Sequence, residues 1–319
     1  FPQESPTAFG MHPNAEIGFR LMNAGSMFDN LRELQPRGAG AAGGASVTEK
    51  AGAALEEITG LLPDQFDMLD ILDRAPEVRT PYVNVFLQEI ERMQFLMGEM
   101  KRSLAELALG LKGDLQITEV MESLMNCLAD GLRPPGWDKY GYPSKRNLGS
   151  WIRDLLERQK QLSDWTGDMG LPRSTCLSYL FNPQSFLTAV MQTTARQNDW
   201  PLDRTVAQTD VQKKFEPSEL PGPSKDGAYI HGLVMEGARW DEKAGNIEES
   251  RPKELFARMP IVLIKAAQFT GEKPKDTYMC PTYKTQDRGP TFVFEAGLRT
   301  KAPSSKWILG GVGLLMDVA

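Results

Sequence analysis

Residues 80–111 read TPYVNVFLQEIERMQFLMGEMKRSLAELALGL, and they decide the first half of the fold. Thr80-Pro81 opens the stretch, because a fixed φ and a missing N–H suit proline to the first turn of a helix. Apolar residues then fall at Phe86, Ile90, Met93, Met97, Met100, Leu104, Leu107 and Leu111. The steps alternate four and three. That lays one stripe along a helix of roughly thirty residues, or ~45 Å at 1.5 Å per residue. The sharper reading of such a stripe is a coiled coil; the plainer one is a core helix of a bundle. Leu87, Phe95 and Leu96 widen the apolar surface beyond a two-residue seam, which favours burial on several sides.

Helical periodicity continues on both sides. Upstream, a first helical region spans about 16–34, weakened by Gly18 and Gly25 and ended by Pro36-Arg37-Gly38. Residues 38–44, rich in Gly and Ala, read as a flexible connector. Ser46-Val47-Thr48-Glu49 has capping-box spacing, in which a hydroxyl and a carboxylate satisfy each other's backbone donors; a helix follows to about Leu61 and stops at Pro63. Downstream, Ile117, Val120, Met121, Leu124, Met125 and Leu128 mark a helix closed by Gly131, and Pro134-Pro135-Gly136 forms a loop. Leu148, Trp151, Ile152, Leu155, Leu156, Leu162 and Trp165 mark the next helix. Asn182-Pro183 is an N-cap followed by proline at the first helical position, with Phe186, Leu187, Val190 and Met191 on one face.

After Asn198-Asp199-Trp200-Pro201 the pattern changes. Short runs rich in β-branched and aromatic residues, at 205–211, 228–236, 260–266, 277–285, 291–295 and 306–316, are separated by turn clusters such as Pro221-Gly222-Pro223, Lys243-Ala244-Gly245-Asn246 and the segment 271–274. Strands without intervening helices imply antiparallel pairing. Several runs, Trp307-Ile308-Leu309 among them, are apolar on both faces, and such strands close into a barrel or pack under helices so that no edge stays open. The expected fold is therefore α+β: an N-terminal multi-helix bundle with one long helix over 1–202, then an antiparallel six-stranded β-barrel over 203–319.

The chain has 319 residues with 41% apolar and 24% charged side chains, and a formal net charge of −6. An acidic balance argues against an extended phosphate-binding footprint and so against nucleic acid, because counterion release needs clustered Lys and Arg. Cys127, Cys176 and Cys280 are scattered without paired spacing, as expected of reduced thiols in a cytoplasmic compartment. No apolar run approaches the ~20 residues of a membrane span. Phe1-Pro2-Gln3-Glu4-Ser5-Pro6 lacks the order of a signal peptide, and a start at Phe1 reads as a piece of a longer polypeptide.

Motifs that carry chemistry are sparse. A P-loop needs Gly-Lys before Ser or Thr, so that amides, ammonium and hydroxyl converge on phosphate and magnesium. No Gly-Lys dipeptide occurs here. His12, in His12-Pro13-Asn14, reads as a turn or the start of a helix. His231 lies within a strand, and neither has zinc-ligand spacing to a cysteine. No G-x-S-x-G elbow supports a nucleophilic serine. Asp64, Asp67, Asp70 and Asp73 recur every third residue, as a solvated helix face or as an acidic ridge for a basic partner. Lys139, Lys145 and Arg146, interleaved with Tyr140 and Tyr142, form a small basic-aromatic patch, read as a surface loop or a protein-docking site. Arg239-Trp240-Asp241 follows a strand and a Gly237-Ala238 turn; it is either an interface anchor, where Trp and Arg are enriched, or a tryptophan closing the barrel mouth beside an ion pair. The methionines read as core filler. We take Arg239, Trp240, Asp241, Lys139, Lys145 and Arg146 as the candidate interface, with no catalytic, cofactor or metal residue.

Longer strings carry a resemblance. Phe9-Gly10-Met11-His12-Pro13-Asn14-Ala15-Glu16-Ile17, Glu33-Leu34-Gln35-Pro36-Arg37, Gln88-Glu89-Ile90-Glu91-Arg92-Met93, Leu148-Gly149-Ser150-Trp151, Phe181-Asn182-Pro183-Gln184-Ser185-Phe186, His231-Gly232-Leu233-Val234-Met235-Glu236-Gly237-Ala238-Arg239-Trp240-Asp241 and Cys280-Pro281-Thr282-Tyr283-Lys284-Thr285 occur in order along the chain. Together they resemble the C-terminal domain of axonemal dynein heavy chains, the outer-arm β type among them. Cys176 and Tyr179 depart from the Trp-Leu-Ser-Gly string of that pattern, and Lys145-Arg146-Asn147 departs from its Leu-Lys-Pro. The resemblance implies a non-catalytic segment in a microtubule motor of the ciliary or flagellar axoneme. It implies no cofactor in this segment, with ATP or ADP and magnesium bound in a ring of AAA+ modules elsewhere in the parent polypeptide. The implied partners are those ring modules, other dynein heavy, intermediate and light chains and, indirectly, microtubules, with no nucleic acid and no membrane. Two other readings stay open from the residues alone: a stand-alone interaction adaptor, and an enzyme with a barrel pocket, which a buried cluster of titratable groups would favour.

Overall fold

The computed structural model describes residues 6–34, 46–269 and 276–318. The opening residues 1–5, the string Gln35-Pro36-Arg37, the connector 38–44 and the turn at 271–274 lie outside the described residues. Contacts divide the described residues into two compact units. One takes 6–34, 80–82 and 170–318; the other takes 46–79 and 83–169.

The second unit is helical. Helix α1 (Pro13–Leu34) belongs to the other unit, and the helices here begin with α2 (Val47–Leu61). The capping box forms as its spacing predicts: the Glu49 amide donates to Ser46 Oγ at 3.2 Å and the Ser46 amide donates to Glu49 Oε2 at 2.7 Å. Helix α3 (Met68–Arg74) starts at Asp67, whose carboxylate accepts from the Leu69 and Asp70 amides. Helix α4 (Pro81–Lys112), part of this unit from Val83 on, has 32 residues, about 48 Å of helix at 1.5 Å per residue. Its stripe is the core: Phe86, Ile90, Met93, Met97, Met100, Leu104 and Leu107 are all buried. The stripe is therefore covered by its own polypeptide, as a bundle helix is, rather than reserved for a second coil. Leu87 and Leu96 are buried as well, but Phe95 is 59% exposed.

Partners of α4 come from α5 (Glu119–Ala129), α6 (Pro135–Asp138) and α7 (Leu148–Trp165). Phe86 stacks on Trp165 at 4.5 Å between ring centres, and Trp137 Nε1 donates to Ser103 Oγ at 3.0 Å. Gln94 clasps the backbone of Phe66 through both its amide oxygen and its amide nitrogen. A buried pair, Arg158 Nε to Asp154 Oδ2 at 2.7 Å, lies under Tyr142, with the guanidinium 3.5 Å from the ring centre. Tyr142 stacks on Trp151, which stacks on Trp137. Buried charges persist only when paired, and here an aromatic face adds a further contact to the guanidinium.

In the first unit, α8 (Pro183–Gln197) begins where the sequence places it, with Asn182 Oδ1 accepting from the Ser185 amide and Pro183 at the first position. It packs on the sheets. A four-stranded sheet runs in the order β1 (Thr175–Cys176), β3 (Ala228–His231), β8 (Val262–Gln268), β2 (Thr205–Val211). A five-stranded sheet runs β10 (Phe292–Arg299), β9 (Thr277–Tyr283), β11 (Gly313–Leu315), β4 (Val234–Glu236), β7 (Phe256–Arg258). A hairpin pairs β5 (Ala238–Asp241) with β6 (Asn246–Glu249). In β3 and β8 buried residues alternate with partly exposed ones, as a sheet with one covered face requires.

In the helical unit the loop expected at 134–136 is instead the start of α6, with proline at its first position, and three expectations change in the first unit. The run 228–236 is two strands, because Gly232 at φ +83° turns the backbone from one sheet into the other. Its missing side chain also makes room for Cys176 Sγ, which a Cβ would approach to 3.0 Å. The closed antiparallel six-stranded barrel is not found among the described residues. Strands β2 and β10 meet through Thr209 Oγ1 donating to the Gly297 carbonyl at 2.7 Å rather than through a ladder, and the pairs β1–β3 and β9–β11 are parallel. The run 306–316 is not one strand: Ser304–Leu309 forms α9, and only Gly313–Leu315 is extended. Pro303 fixes the φ that starts this helix, and Trp307 Nε1 donates to Thr300 Oγ1 at 2.7 Å, turning the indole inward. Ile308 and Leu309 are left exposed.

Candidate interaction surfaces

Helix α1 is tied down at its first turn. Asn14, 7% exposed, donates from Nδ2 to the Arg251 carbonyl at 2.7 Å and to the Glu254 carbonyl at 2.9 Å, and its Oδ1 accepts from the Lys253 amide at 2.7 Å. Lys253 has φ +71°, a strained setting for a lysine that the asparagine holds in place. From Phe19 to Leu31 the described side chains of the helix are exposed. Phe19, Leu21, Met22, Met27, Phe28 and Leu31 all face solvent, Met22 at 67% and Phe28 at 72%. At about 100° per residue these positions go all the way round the helix. Arg20, Asn23, Ser26 and Asn30 stand exposed among them, but exposed apolar surface of this extent marks a contact with another protein region. His12-Pro13-Asn14 reads in the sequence as a turn or the start of a helix, and the helix does start at Pro13; the role of Asn14 as a staple depends on a loop more than two hundred positions away.

Arg239, Trp240 and Asp241 lie together on β5. Trp240 is 8% exposed and turned inward, opposite Ile247 of β6. Its two neighbours point to the other face, as strand alternation requires. Arg239 does not pair with Asp241. Its guanidinium is 3.1 Å from Glu248 Oε1 and 3.4 Å from Glu254 Oε2, while Asp241 Oδ1 accepts from the Lys243 amide at 2.9 Å in the turn. The second patch separates by depth. Lys139 and Tyr140 are exposed, with the ammonium 5.4 Å from the ring centre. Lys145 is exposed too. Arg146 is half-buried, 3.9 Å from Asp154, and Tyr142 is core.

The remaining motifs have local roles. Within the acidic series Asp67 caps α3, Asp70 pairs with Arg74 at 2.8 Å and Asp64 reaches Lys101 at 3.9 Å. His231 Nδ1 and Ser174 Oγ are 2.5 Å apart where β1 meets β3; burial holds the imidazole below its usual range, against the pull of the Glu216 carboxylate. Burial likewise pushes the Cys280 thiol up. Among the described residues no group of three or more His, Cys, Asp or Glu has the arrangement of a metal site, and no helix is long and apolar enough to cross a membrane.

This is a mixed α+β domain with a long, stapled and exposed apolar helix. It belongs to the C-terminal domain family of the dynein heavy chain, whose model matches residues 21–316. The sequence is 52% identical over 319 residues to a dynein beta chain of the flagellar outer arm from Chlamydomonas reinhardtii. It is 47% identical to dynein axonemal heavy chain 9 of Homo sapiens and 49% identical to a ciliary dynein beta chain of Tripneustes gratilla. Each of these matches takes in 99% of this chain and 7% of the relative's length.

Proposed function

We propose that this chain is the non-catalytic C-terminal domain of an axonemal dynein heavy chain, packing against AAA+ ring modules of the same polypeptide and modulating ATP-driven, minus-end-directed movement along microtubules in cilia or flagella. The observation that carries this reading is α1. Phe19, Leu21, Met22, Met27, Phe28 and Leu31 are all exposed on it, and exposed apolar surface of that extent marks protein contacts. A neighbouring region of the same heavy chain is the natural cover, since the relatives extend far beyond the matched segment. The relatives' names support the axonemal setting.

In this reading the helical part, 1–202, braces the ring through the stiffness of α4, and the β-rich part, 203–319, presents the β5–β6 hairpin. Arg239 and Asp241 form the outward face of that hairpin, with Trp240 as its inner support. Lys139, Lys145 and Arg146 form a second docking face. ATP or ADP with magnesium belongs to the ring, and other heavy, intermediate and light chains are further partners. Such a domain biases the ring only through contacts that differ between the ring's states. Deleting the segment from the parent motor is expected to change ATPase rate, stall force or run length; all three unchanged would contradict the reading. A stand-alone adaptor is the alternative, and it predicts a folded, monodisperse isolated chain with α1 covered by a separate partner.

A further inference from the structure

The turn that holds the base of α1 has a backbone form that its own residues do not favour. It reads Arg251-Pro252-Lys253-Glu254. The Glu254 amide donates to the Arg251 carbonyl at 3.0 Å, and Lys253, third in the turn, has φ +71°. That is the pattern of a type II β-turn, which needs positive φ at its third residue and so takes glycine or asparagine there. A type I turn accepts the same proline and leaves the lysine at negative φ. The two forms differ by a flip of the peptide between Pro252 and Lys253. The ends of the turn are held without that peptide: Glu254 Oε2 accepts from the Arg251 amide at 3.1 Å and lies 3.4 Å from Arg239 Nε. The Lys253 side chain is exposed, so its packing does not explain the positive φ.

Asn14 explains it. Its Oδ1 accepts from the Lys253 amide at 2.7 Å, and only the type II form turns that N–H toward it. A flip would put the Pro252 carbonyl oxygen in its place, setting one acceptor against another. Asn14 Nδ2 meanwhile donates to the carbonyls at both ends of the turn, Arg251 and Glu254. Asn14 is also the one residue of α1 that is buried among the described residues. We propose that the Arg251–Glu254 turn is a two-state latch for α1. It is closed when Lys253 has positive φ and its amide is on Asn14. It is open when the Pro252–Lys253 peptide has flipped and α1 is free to leave this orientation. Asn14 holds the closed form against the backbone preference of lysine, so the latch can open, where glycine in place of Lys253 would keep it shut. The use of the latch rests on the reading of α1 as a contact with the rest of the heavy chain: a ring state that binds released α1 better draws the latch open.

The test is hydrogen exchange read by mass spectrometry in the full-length heavy chain, on peptides covering residues 14–24 and, as a reference, the β9–β10 pair. Lys253→Gly removes the steric opposition to positive φ and is expected to slow exchange over 14–24 at least about threefold. Lys253→Ala keeps the Cβ and loses the ammonium, and should exchange like the unsubstituted chain. Asn14→Ala should speed exchange over 14–24 at least about tenfold. In that background Lys253→Gly should no longer slow it. The β9–β10 peptides should stay unchanged throughout. Lys253→Gly that leaves 14–24 unmoved would overturn the proposal. So would equal slowing by Lys253→Ala, or slowing by Lys253→Gly that persists without Asn14. Absence of the ring contact would instead speed exchange over 19–31 in every variant alike and leave these differences standing, so the latch and the contact fail separately.

Discussion

Helices α1 and α4 are both long and rich in apolar residues, yet they sit in opposite environments. In α4 the apolar residues follow a four-three rhythm, so one face collects them and the helical unit covers that face: Met97 is 1% exposed. In α1 Phe19, Met22, Met27 and Phe28 follow no such rhythm and point in every direction, and Met22 is 67% exposed. Periodicity tells a helix which side to bury against its own domain. Apolar content without periodicity marks a helix that needs cover from beyond the domain.

Core truncation should separate the two helices most sharply. Ile90→Ala removes a fully buried side chain of α4 and is expected to cost about 2–5 kcal/mol in urea unfolding of this chain. Phe28→Ala in α1 is expected to change the same measurement by less than about 0.5 kcal/mol, as for an exposed site. Similar losses for both would break the comparison. A smaller effect sharpens what holds the helical unit itself: Ser46→Ala removes the cap of α2 and should cost about 1 kcal/mol, with Ser46→Thr close to neutral.

The smallest effect expected concerns the unit that carries α1 and asks whether its sheets are tightly packed. The folded His231 imidazole has its pKa lowered, chiefly by burial. The unfolded polypeptide therefore takes up a proton near pH 6.5 that the folded form holds off until lower pH. Its contribution is complete above the unfolded value and is lost as pH falls through the folded one. Chemical denaturation between pH 7.5 and about 5 should show this decline, and His231→Gln should flatten it. An unchanged slope in the variant would mean that the β1–β3 junction leaves the ring in water.

What was legible in the sequence follows the same division. The stripe of α4, the Ser46 and Asn182 caps and the indole positions Trp151 and Trp165 are local signals, and each appears where its spacing puts it. Only part of the sheets was legible as strands: β1, β5, β6 and β7 fall outside the runs the sequence marks, and no pairing was legible. Pairing is non-local, so nothing near 313–315 announces that β11 lies parallel to β9 and antiparallel to β4. Trp307-Ile308-Leu309 reads as a buried strand because apolar runs do not distinguish the two states at that length; Pro303 is the discriminating residue. Among the candidate interface residues, alternation within β5 is enough to turn Trp240 away from its neighbours. The partners of Arg239, at Glu248 and Glu254, depend on a hairpin and a loop that local patterning leaves open.

The central claim, that α1 is covered by the rest of its own heavy chain, is tested most directly by methionine oxidation with dilute peroxide, read residue by residue in the isolated chain and in the full-length heavy chain. Met22 and Met27 should oxidise readily in the isolated chain and at least about tenfold more slowly in the full-length protein, while Met97 and Met100 stay protected in both. Equal rates for Met22 and Met27 in the two proteins would contradict the claim.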